Sequence, residues 1–390
     1  MTKDIAVIGA GITGLTSAYY LARAGHNVTV YEQERYPAMR ASFANGGQIS
    51  VSNSEVWTTW ANVRKGIKWM FKKDAPLLIR PSLEWAKLKW MVRFLRHTIK
   101  GDYEKNTAET IRLGLESRTL YQQLIAEEGI KFDHLNSGIL HFYKSPAYFG
   151  HAFNAKSIYE DNGCEWSLLE PMQTLSMDPA LVKIQGIVGG AWTRDDSTGD
   201  IHKFCMALAR VLETKYNVKF CYNQHVDKVD ERFGSYHAIV VSNGVGSTKL
   251  AATVGDDIGV YPVKGYSITI NNVDPRYLPK VSLLDDEAKI VTSTLGNHLR
   301  VAGTAELTGE NYDIRRDRIE PLLNWVHVNF PDIDTSDYTS WACLRPMTPN
   351  MMPVVRQSKK DMRVFYNTGH GHLGWTLSPA TAVMLSEMML

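Results

Sequence analysis

Three glycines in a fixed frame, Gly9-Ala10-Gly11-Ile12-Thr13-Gly14, constrain this chain more than any other feature. The apolar run Ile5-Ala6-Val7-Ile8 before them has the composition of a strand buried in a parallel sheet. The stretch 15–24 after them reads as a helix stopped by Gly25, and Asn27-Val28-Thr29-Val30-Tyr31 as a second strand that delivers Glu32. Each glycine has its own task. Gly9 makes the tight turn, Gly11 admits a pyrophosphate close to the backbone, and Gly14 lets the helix lie against the strand. The pyrophosphate would rest on the helix N-terminus, where N–H groups and the helix dipole favour negative charge. Glu32, eighteen positions after Gly14, stands where a carboxylate accepts hydrogen bonds from a ribose diol. Strand, glycines, helix, strand and acid in this order predict a dinucleotide-binding unit rather than an ordinary βαβ turn.

A chain of 390 residues with 44% hydrophobic content can bury one large core or two domains. Its 43 Lys plus Arg balance 41 Asp plus Glu, which gives no electrostatic case for nucleic acid. The four cysteines, Cys164, Cys205, Cys221 and Cys343, have no C-x-x-C spacing and read as reduced thiols of a cytosolic protein. No small-residue cleavage site follows the first apolar run, and no run approaches the ~20 apolar residues of a spanning helix.

Beyond Glu32, the glycine-rich stretch 40–50 is too polar for a helix and too long for a hairpin turn, and suits a loop lying against a flat, heteroatom-rich ring. Residues 57–100 interleave Trp57, Trp60, Trp69, Trp85 and Trp90 with cations, and 64–100 carries eleven Lys or Arg against two acids, a local charge of +9. The stretch 87–96 has helical periodicity with basic flanks, which fits either an interfacial helix or a solvated face over core tryptophans. Lys72, Lys73, Lys87 and Lys89 are the candidate lipid-facing cations.

Residues 106–128 read as a helix, 139–143 as a strand, 204–216 as a helix, and 218–222 and 237–241 as strands. The βα pattern thus resumes near residue 200, whereas 260–304 alternates strands and turns without helices. The expected fold is α/β: a Rossmann-type dinucleotide domain (1–52, 186–250 and 345–390) with an inserted α+β substrate domain (53–185 and 251–344) that contains an antiparallel sheet. Near the end, three glycines at 369, 371 and 374 precede a helix expected from Ser378 or Pro379, a second N-terminus suited to negative charge. His370 and His372 stand two apart, but no further ligand makes them a metal pair.

Together these stretches resemble the FAD-dependent D-amino-acid oxidase superfamily, most closely its bacterial D-amino-acid dehydrogenase branch of the small-subunit type. The resemblance rests on residues 8–14, 42–48, 262–267, 299–306, 344–349 and 369–376, in the family's order. It implies FAD as cofactor. It implies that Glu32 binds the ADP ribose, and that Ser42, Asn45, Gly47 and Gln48 line flavin and pyrophosphate. Val226 would meet adenine through its backbone, and Gly371, His372, Leu373, Gly374, Trp375 and Thr376 would face the pyrimidine end of the isoalloxazine. Gln33, Arg40, Gly46, Asn243, Gly244 and Gly303 complete the expected cofactor contacts. Arg345 matches the family's carboxylate-binding arginine, and Tyr266 is the candidate for a second carboxylate or pocket contact. Two departures stand out: the chain stops inside its final helix at Met388-Met389-Leu390, and His372 stands where this branch often has threonine.

The implied reaction is oxidative deamination of an amino acid, a D-amino acid in this branch, to the 2-oxo acid and ammonia, with hydride passing from Cα to flavin N5. Arg345 suits the substrate because its planar fork grips a carboxylate in two bonds. The sequence shows no His/carboxylate pair with a claim to be a base. Electrons would pass to a quinone or other acceptor, with 57–100 holding the protein on the inner face of a bacterial plasma membrane. An oxygen-using oxidase of sarcosine, glycine or hydroxyproline, and a non-catalytic flavoprotein assembly factor, are the alternatives.

Overall fold

The computed structural model describes residues 1–69, 77–79 and 84–389. The strand Asp4–Ile8 lies inside a six-stranded sheet, between parallel neighbours Asn27–Tyr31 and Ala238–Val241. Lys219–Cys221 and Val364–Thr368 extend the sheet in parallel, and Val354–Gln357 closes one edge antiparallel. Helices cover the sheet, so its central strands need apolar residues on both faces; Ile5, Val7, Ile239 and Val240 are all fully buried. The helix Ile12–Arg23 begins at the glycine turn and packs with Ile201–Lys215, Gly374–Glu387 and Tyr103–Glu128, joining Leu15, Tyr19, Tyr121, Leu124, Phe204 and Trp375 in one cluster.

The final helix starts at Gly374 rather than at Ser378 or Pro379, behind a 3-10 turn at Gly371–Leu373, and holds Pro379 inside it. Proline has no N–H to give the carbonyl four residues back, that of Trp375. The Tyr121 hydroxyl donates to that carbonyl instead at 2.7 Å, which lets the helix run on.

The second sheet has nine strands. Its order is Tyr338–Met347, Tyr261–Ile270, His298–Leu307, Ile290–Leu295, Ser282–Asp285, Ile139–Tyr143, Gly189–Thr193, Ser167–Leu169, with Leu77–Ile79 beside His298–Leu307. It is antiparallel as expected, except that Ser282–Asp285 runs parallel to Ile139–Tyr143 and Leu77–Ile79 parallel to His298–Leu307. The helix Arg316–Asn329 covers one face through a cluster that includes Ile268, Leu299, Leu322 and Val326. Two expected borders shift. Gly189–Thr193, grouped by sequence with 186–250, pairs along its length with Ile139–Tyr143, and the border at 344/345 falls inside the strand Tyr338–Met347. Gly189-Gly190-Ala191-Trp192-Thr193 carries too little apolar alternation to declare its sheet.

Candidate functional site

A cavity of about 1240 Å³ runs from the first glycine turn to the face of the nine-stranded sheet opposite the helix Arg316–Asn329. That exceeds the ~300–1,000 Å³ of ordinary small-ligand pockets, and leaves room for a dinucleotide with a substrate beside it.

At the first end, Gly9 has φ +104°, and a Cβ there would lie 2.8 Å from the Ser242 carbonyl oxygen. A Cβ at Gly14 would lie 1.8 Å from the Gly9 carbonyl oxygen, so neither position admits alanine. Gly11, Ile12 and Thr13 line the cavity, and the Ile12 N–H donates to Ser42 Oγ at 3.0 Å. Ala10 is buried and does not line the cavity; its N–H donates to Glu32 Oε2 at 2.7 Å, while the Glu34 N–H donates to Oε1 at 2.9 Å. Burial raises the Glu32 pKa, and those N–H groups oppose the rise. Each oxygen keeps a lone pair with which to accept from a diol. Gln33, Val226, Asn243 and Gly244 line this end too, Gln33 with its Oε1 3.0 Å from His225 Nδ1. Arg40 sits on the rim, donating to Glu34 at 2.7 Å with its guanidinium 4.8 Å from the Tyr312 ring centre.

In the middle, the loop 42–50 is tied to the nine-stranded sheet. Arg300 Nη1 donates to the Asn45 carbonyl at 3.0 Å, Ser293 Oγ to that of Gly46 at 2.7 Å, and Gln48 Nε2 to Ser282 Oγ at 2.8 Å. Asn45, Gly46, Gln48 and Gly303 line the cavity. Gly47 lies behind them, at φ +74°, with its N–H held by Asn45 Oδ1 at 2.9 Å. A Cβ at Gly46 would press to 2.6 Å from Val291, so the bare backbone is what lets loop and sheet approach along a flat slot.

At the far end, Gly371, His372, Leu373, Gly374, Trp375 and Thr376 form the wall, and Thr376 Oγ1 accepts the Ser50 N–H at 3.1 Å. His372 stacks on Trp57 (5.1 Å between centres, 15° between planes), with its Nε2 3.2 Å from the Asn53 carbonyl oxygen. Burial first, then Arg345, lower its pKa to about 4. The ring is therefore neutral, Nε2 carries the proton it donates, and the buried Nδ1 presents a lone pair with no partner among the described residues.

Strand alternation puts Trp341, Cys343 and Arg345 on the cavity side, opposite Ser267, Gly265 and Val263 in the neighbouring strand. A Cβ at Gly265 would lie 2.4 Å from Arg345 Nη2, so the guanidinium lies directly over that glycine. Arg345 Nη1 donates to the Thr304 carbonyl at 3.0 Å. Thr304 is left-handed (φ +59°) because the strand carries one extra residue there: Lys264 faces Glu306 but Tyr266 faces Gly303. Burial pushes the Arg345 pKa down, Cys343 opposing it, yet arginine keeps its charge. Among the described residues Arg345 has no carboxylate partner.

Tyr266 is among the residues that line the cavity, as expected of a pocket contact, but its ring and hydroxyl are engaged elsewhere. It points to the other side of the strand, into the cluster with Leu322 and Ile268, and its hydroxyl donates to buried Glu306 at 2.7 Å. The structure also supplies the His/carboxylate pair that the sequence hides. His141 Nδ1 lies 3.0 Å from Asp286 Oδ2 and its Nε2 3.1 Å from Ser52 Oγ, with all three residues on the cavity wall. The pair stands 145 positions apart in the chain and meets only because 139–143 runs beside 282–285.

A family model described as FAD dependent oxidoreductase (DAO) matches residues 4–388. A protein of Mesorhizobium japonicum named D-amino acid dehydrogenase 3 is 46% identical over 99% of this chain and 96% of its own. The D-amino acid dehydrogenase of Dechloromonas aromatica is 38% identical, over 99% of this chain and 96% of its own. Among solved structures, glycine oxidase of Geobacillus kaustophilus superposes with a TM-score of 0.77 at 19% identity, over 99% of this chain and 95% of that one, a likeness of fold.

Proposed function

Since the chain belongs to the DAO family of FAD dependent oxidoreductases, with FAD as its cofactor, we propose that it oxidatively deaminates a D-amino acid to the 2-oxo acid and ammonia. The observation that carries this reading is Arg345, a guanidinium enclosed in the cavity without a carboxylate counter-ion among the described residues. A buried, unpaired cation calls for an anionic ligand, and its planar fork fits a carboxylate. The relatives named D-amino acid dehydrogenase, alike along nearly the whole chain, supply the amine and its handedness.

The residues fit FAD end to end. Gly9–Gly14 with Ser42 take the pyrophosphate, Glu32 the ribose, Val226 the adenine side, and the slot between Gly46, Gly303 and Gly371–Thr376 the ring. When bound, FAD supplies the acceptor for the hydride of the substrate Cα; the imine left behind hydrolyses to the products. The chain's own part is orientation and charge. Arg345 holds the carboxylate so that Cα faces the ring slot, Gly265 leaves space for that guanidinium, and the helix opening at Gly374 stabilises negative charge at the slot. The test is anaerobic bleaching of the flavin by a panel of D- and L-amino acids and N-methyl amines. Bleaching by D-amino acids is expected, and bleaching only by N-methyl amines, or by nothing, refutes the reading. Turnover with a quinone-like dye but not with oxygen would mark a dehydrogenase.

The acceptor side is read from the basic, tryptophan-rich segment. No helix among the described residues is long and apolar enough to cross a membrane. The helix Trp85–Lys100 nevertheless exposes Trp85, Leu88, Val92, Leu95 and Ile99, an apolar stripe at spacings of three and four. Arg96 and Lys100 flank it, and Trp60 and Ile67 stand exposed on the helix Trp60–Trp69. Ile67, Trp69, Met91, Phe94 and Leu95 also line the cavity. This supports a face that rests on an anionic membrane, with the cavity open to a lipid-borne quinone. Of the cations first singled out, Lys87 is buried and Lys89 is half-exposed and paired with Asp257 at 2.8 Å, while Lys72 and Lys73 lie outside the described residues.

A further inference from the structure

We propose that Ser50, Ser52, His141, Asp286 and Lys289 form the proton path of the reaction, with His141 taking the proton that the substrate's ammonium group must lose. The proposal rests on the amino-acid oxidation proposed above. A hydride leaves Cα only when the nitrogen has a free lone pair to form the C=N bond, and an amino acid arrives near neutral pH as an ammonium. That nitrogen must shed one proton, to water or to a group on the cavity wall able to take it. Arg345 cannot, and His372, held neutral next to Arg345, offers a lone pair but little affinity for a proton.

The five residues make one continuous chain of hydrogen bonds. Ser50, whose N–H is held by Thr376 at the ring slot, has its Oγ 3.0 Å from Ser52 Oγ. Ser52 Oγ is 3.1 Å from His141 Nε2, His141 Nδ1 is 3.0 Å from Asp286 Oδ2, and Lys289 Nζ donates to Asp286 Oδ1 at 2.7 Å. Ser50, Ser52 and His141 are at most 3% exposed, whereas the Lys289 side chain is 47% exposed. The chain thus runs along the cavity wall from the Thr376 end to Lys289, which itself lines the cavity. The backbone under it is fixed, because Asp196 accepts the N–H groups of Val51 and Ser52 at 3.0 and 2.9 Å.

In the step, an ammonium N–H bond breaks and its electron pair stays on nitrogen. The proton crosses the Ser50 and Ser52 hydroxyls, each passing on its own proton as it accepts the next, and arrives on His141 Nε2. The imidazolium keeps its Nδ1–H on the Asp286 carboxylate. The freed lone pair then forms C=N as the Cα hydrogen leaves with its bonding pair as hydride, for which bound FAD would be the acceptor. The groups around the imidazole agree with this. The Trp166 ring lies edge-on at 5.0 Å, and Tyr143 and Lys289 flank the Asp286 carboxylate. Glu55, Lys65, Tyr148 and His151 lie along the same cavity wall. Burial works to raise the Asp286 pKa, but Lys289 and His141 hold the group ionised, well below the usual carboxylate range.

The test is the limiting rate of anaerobic flavin bleaching against pH in the FAD-loaded wild type, His141→Gln and Asp286→Asn. The wild-type rate should rise through one ionisation to a plateau. His141→Gln keeps a hydrogen bond to Ser52 but carries no proton. It should lose that ionisation and slow by about 10²–10⁴-fold, with FAD content and the affinity for a carboxylate lacking an amino group unchanged. Asp286→Asn should move the inflection to lower pH. Should His141→Gln fail to fold, Ser52→Ala cuts the path outside the imidazole and should slow bleaching likewise. A readout free of turnover is the ¹⁵N resonance of His141 on adding 2-aminoisobutyrate, which has no Cα–H to lose; the ring should become an imidazolium. A His141→Gln profile that overlays the wild type, or a ring that stays neutral with the analogue bound, overturns the proton path alone. A wild type that no amino acid bleaches overturns the oxidation itself.

Discussion

Arg345→Met should cost binding while leaving stability nearly untouched. The guanidinium makes one hydrogen bond to protein, to the carbonyl of left-handed Thr304, and has no carboxylate partner among the described residues. Its remaining donors are free for a ligand. Cutting one side of a desolvated charge pair costs about 2–5 kcal/mol, so carboxylate affinity should fall roughly 30- to 4,000-fold. Stability has no such loss to suffer. Methionine removes a buried charge, while stranding the Thr304 carbonyl costs about 1 kcal/mol, which leaves the unfolding midpoint within about 2 °C of wild type. Arg345→Lys should rescue binding only in part, because an ammonium cannot form the fork. The assay titrates an unreactive carboxylate against the flavin absorbance of each variant, with FAD content and melting measured on the same samples. If the methionine variant holds FAD and binds the carboxylate within about threefold of wild type, the carboxylate sits elsewhere. If it melts far below wild type, Arg345 is a structural group.

Gly265→Ala should raise KM by shifting the guanidinium that a Cβ would meet at 2.4 Å, with FAD still bound; an unchanged KM would mean that Arg345 can move without consequence. Glu32→Gln should weaken FAD retention at least about tenfold, as one charge-assisted pair is worth ~1.5–3 kcal/mol, measured by equilibrium dialysis. Burial also gives Glu32 a folded pKa above its unfolded value. Between the two values the native FAD-free protein binds the more protons, so stability falls as pH rises through that window, and the loss is complete above the folded pKa. Glutamine should abolish this slope in urea titrations across pH, and a slope left intact would clear Glu32 of it. Val92→Asp with Ile99→Asp should abolish sedimentation with anionic vesicles while leaving dye-linked turnover in solution intact. If the wild type stays in the supernatant at low salt but self-associates through these positions, the stripe is an interface between copies.

The dinucleotide end was legible because its parts are contiguous: turn, helix, strand and acid lie within 32 residues, and each obeys a local rule. The reactive end is assembled across strands, where local rules say little. Tyr266 lines the cavity as expected of a pocket contact, but its ring and hydroxyl are committed beneath it. In a strand its neighbours Gly265 and Ser267 face the cavity, while a bulky aromatic belongs in the apolar layer beneath. His141 and Asp286 left no signal at all, since a separation of 145 residues becomes contact only through strand register. Lys87 was misjudged because a basic run seldom hides a lysine, yet this one lies on the inward side of its helix.

The position of the first strand sets the order in which this molecule can be completed. Asp4–Ile8 is made first, but its neighbour Ala238–Val241 comes more than two hundred residues later, and Val364–Thr368 beyond it comes near the end. The glycine turn therefore leaves the ribosome long before the wall at Gly371–Thr376 that faces it across the cavity. Pairings so distant in sequence close slowly, and the half-built sheet must wait with an open flank. Tight capture of FAD, in a cavity whose walls come from both ends of the sequence, therefore belongs to the finished chain.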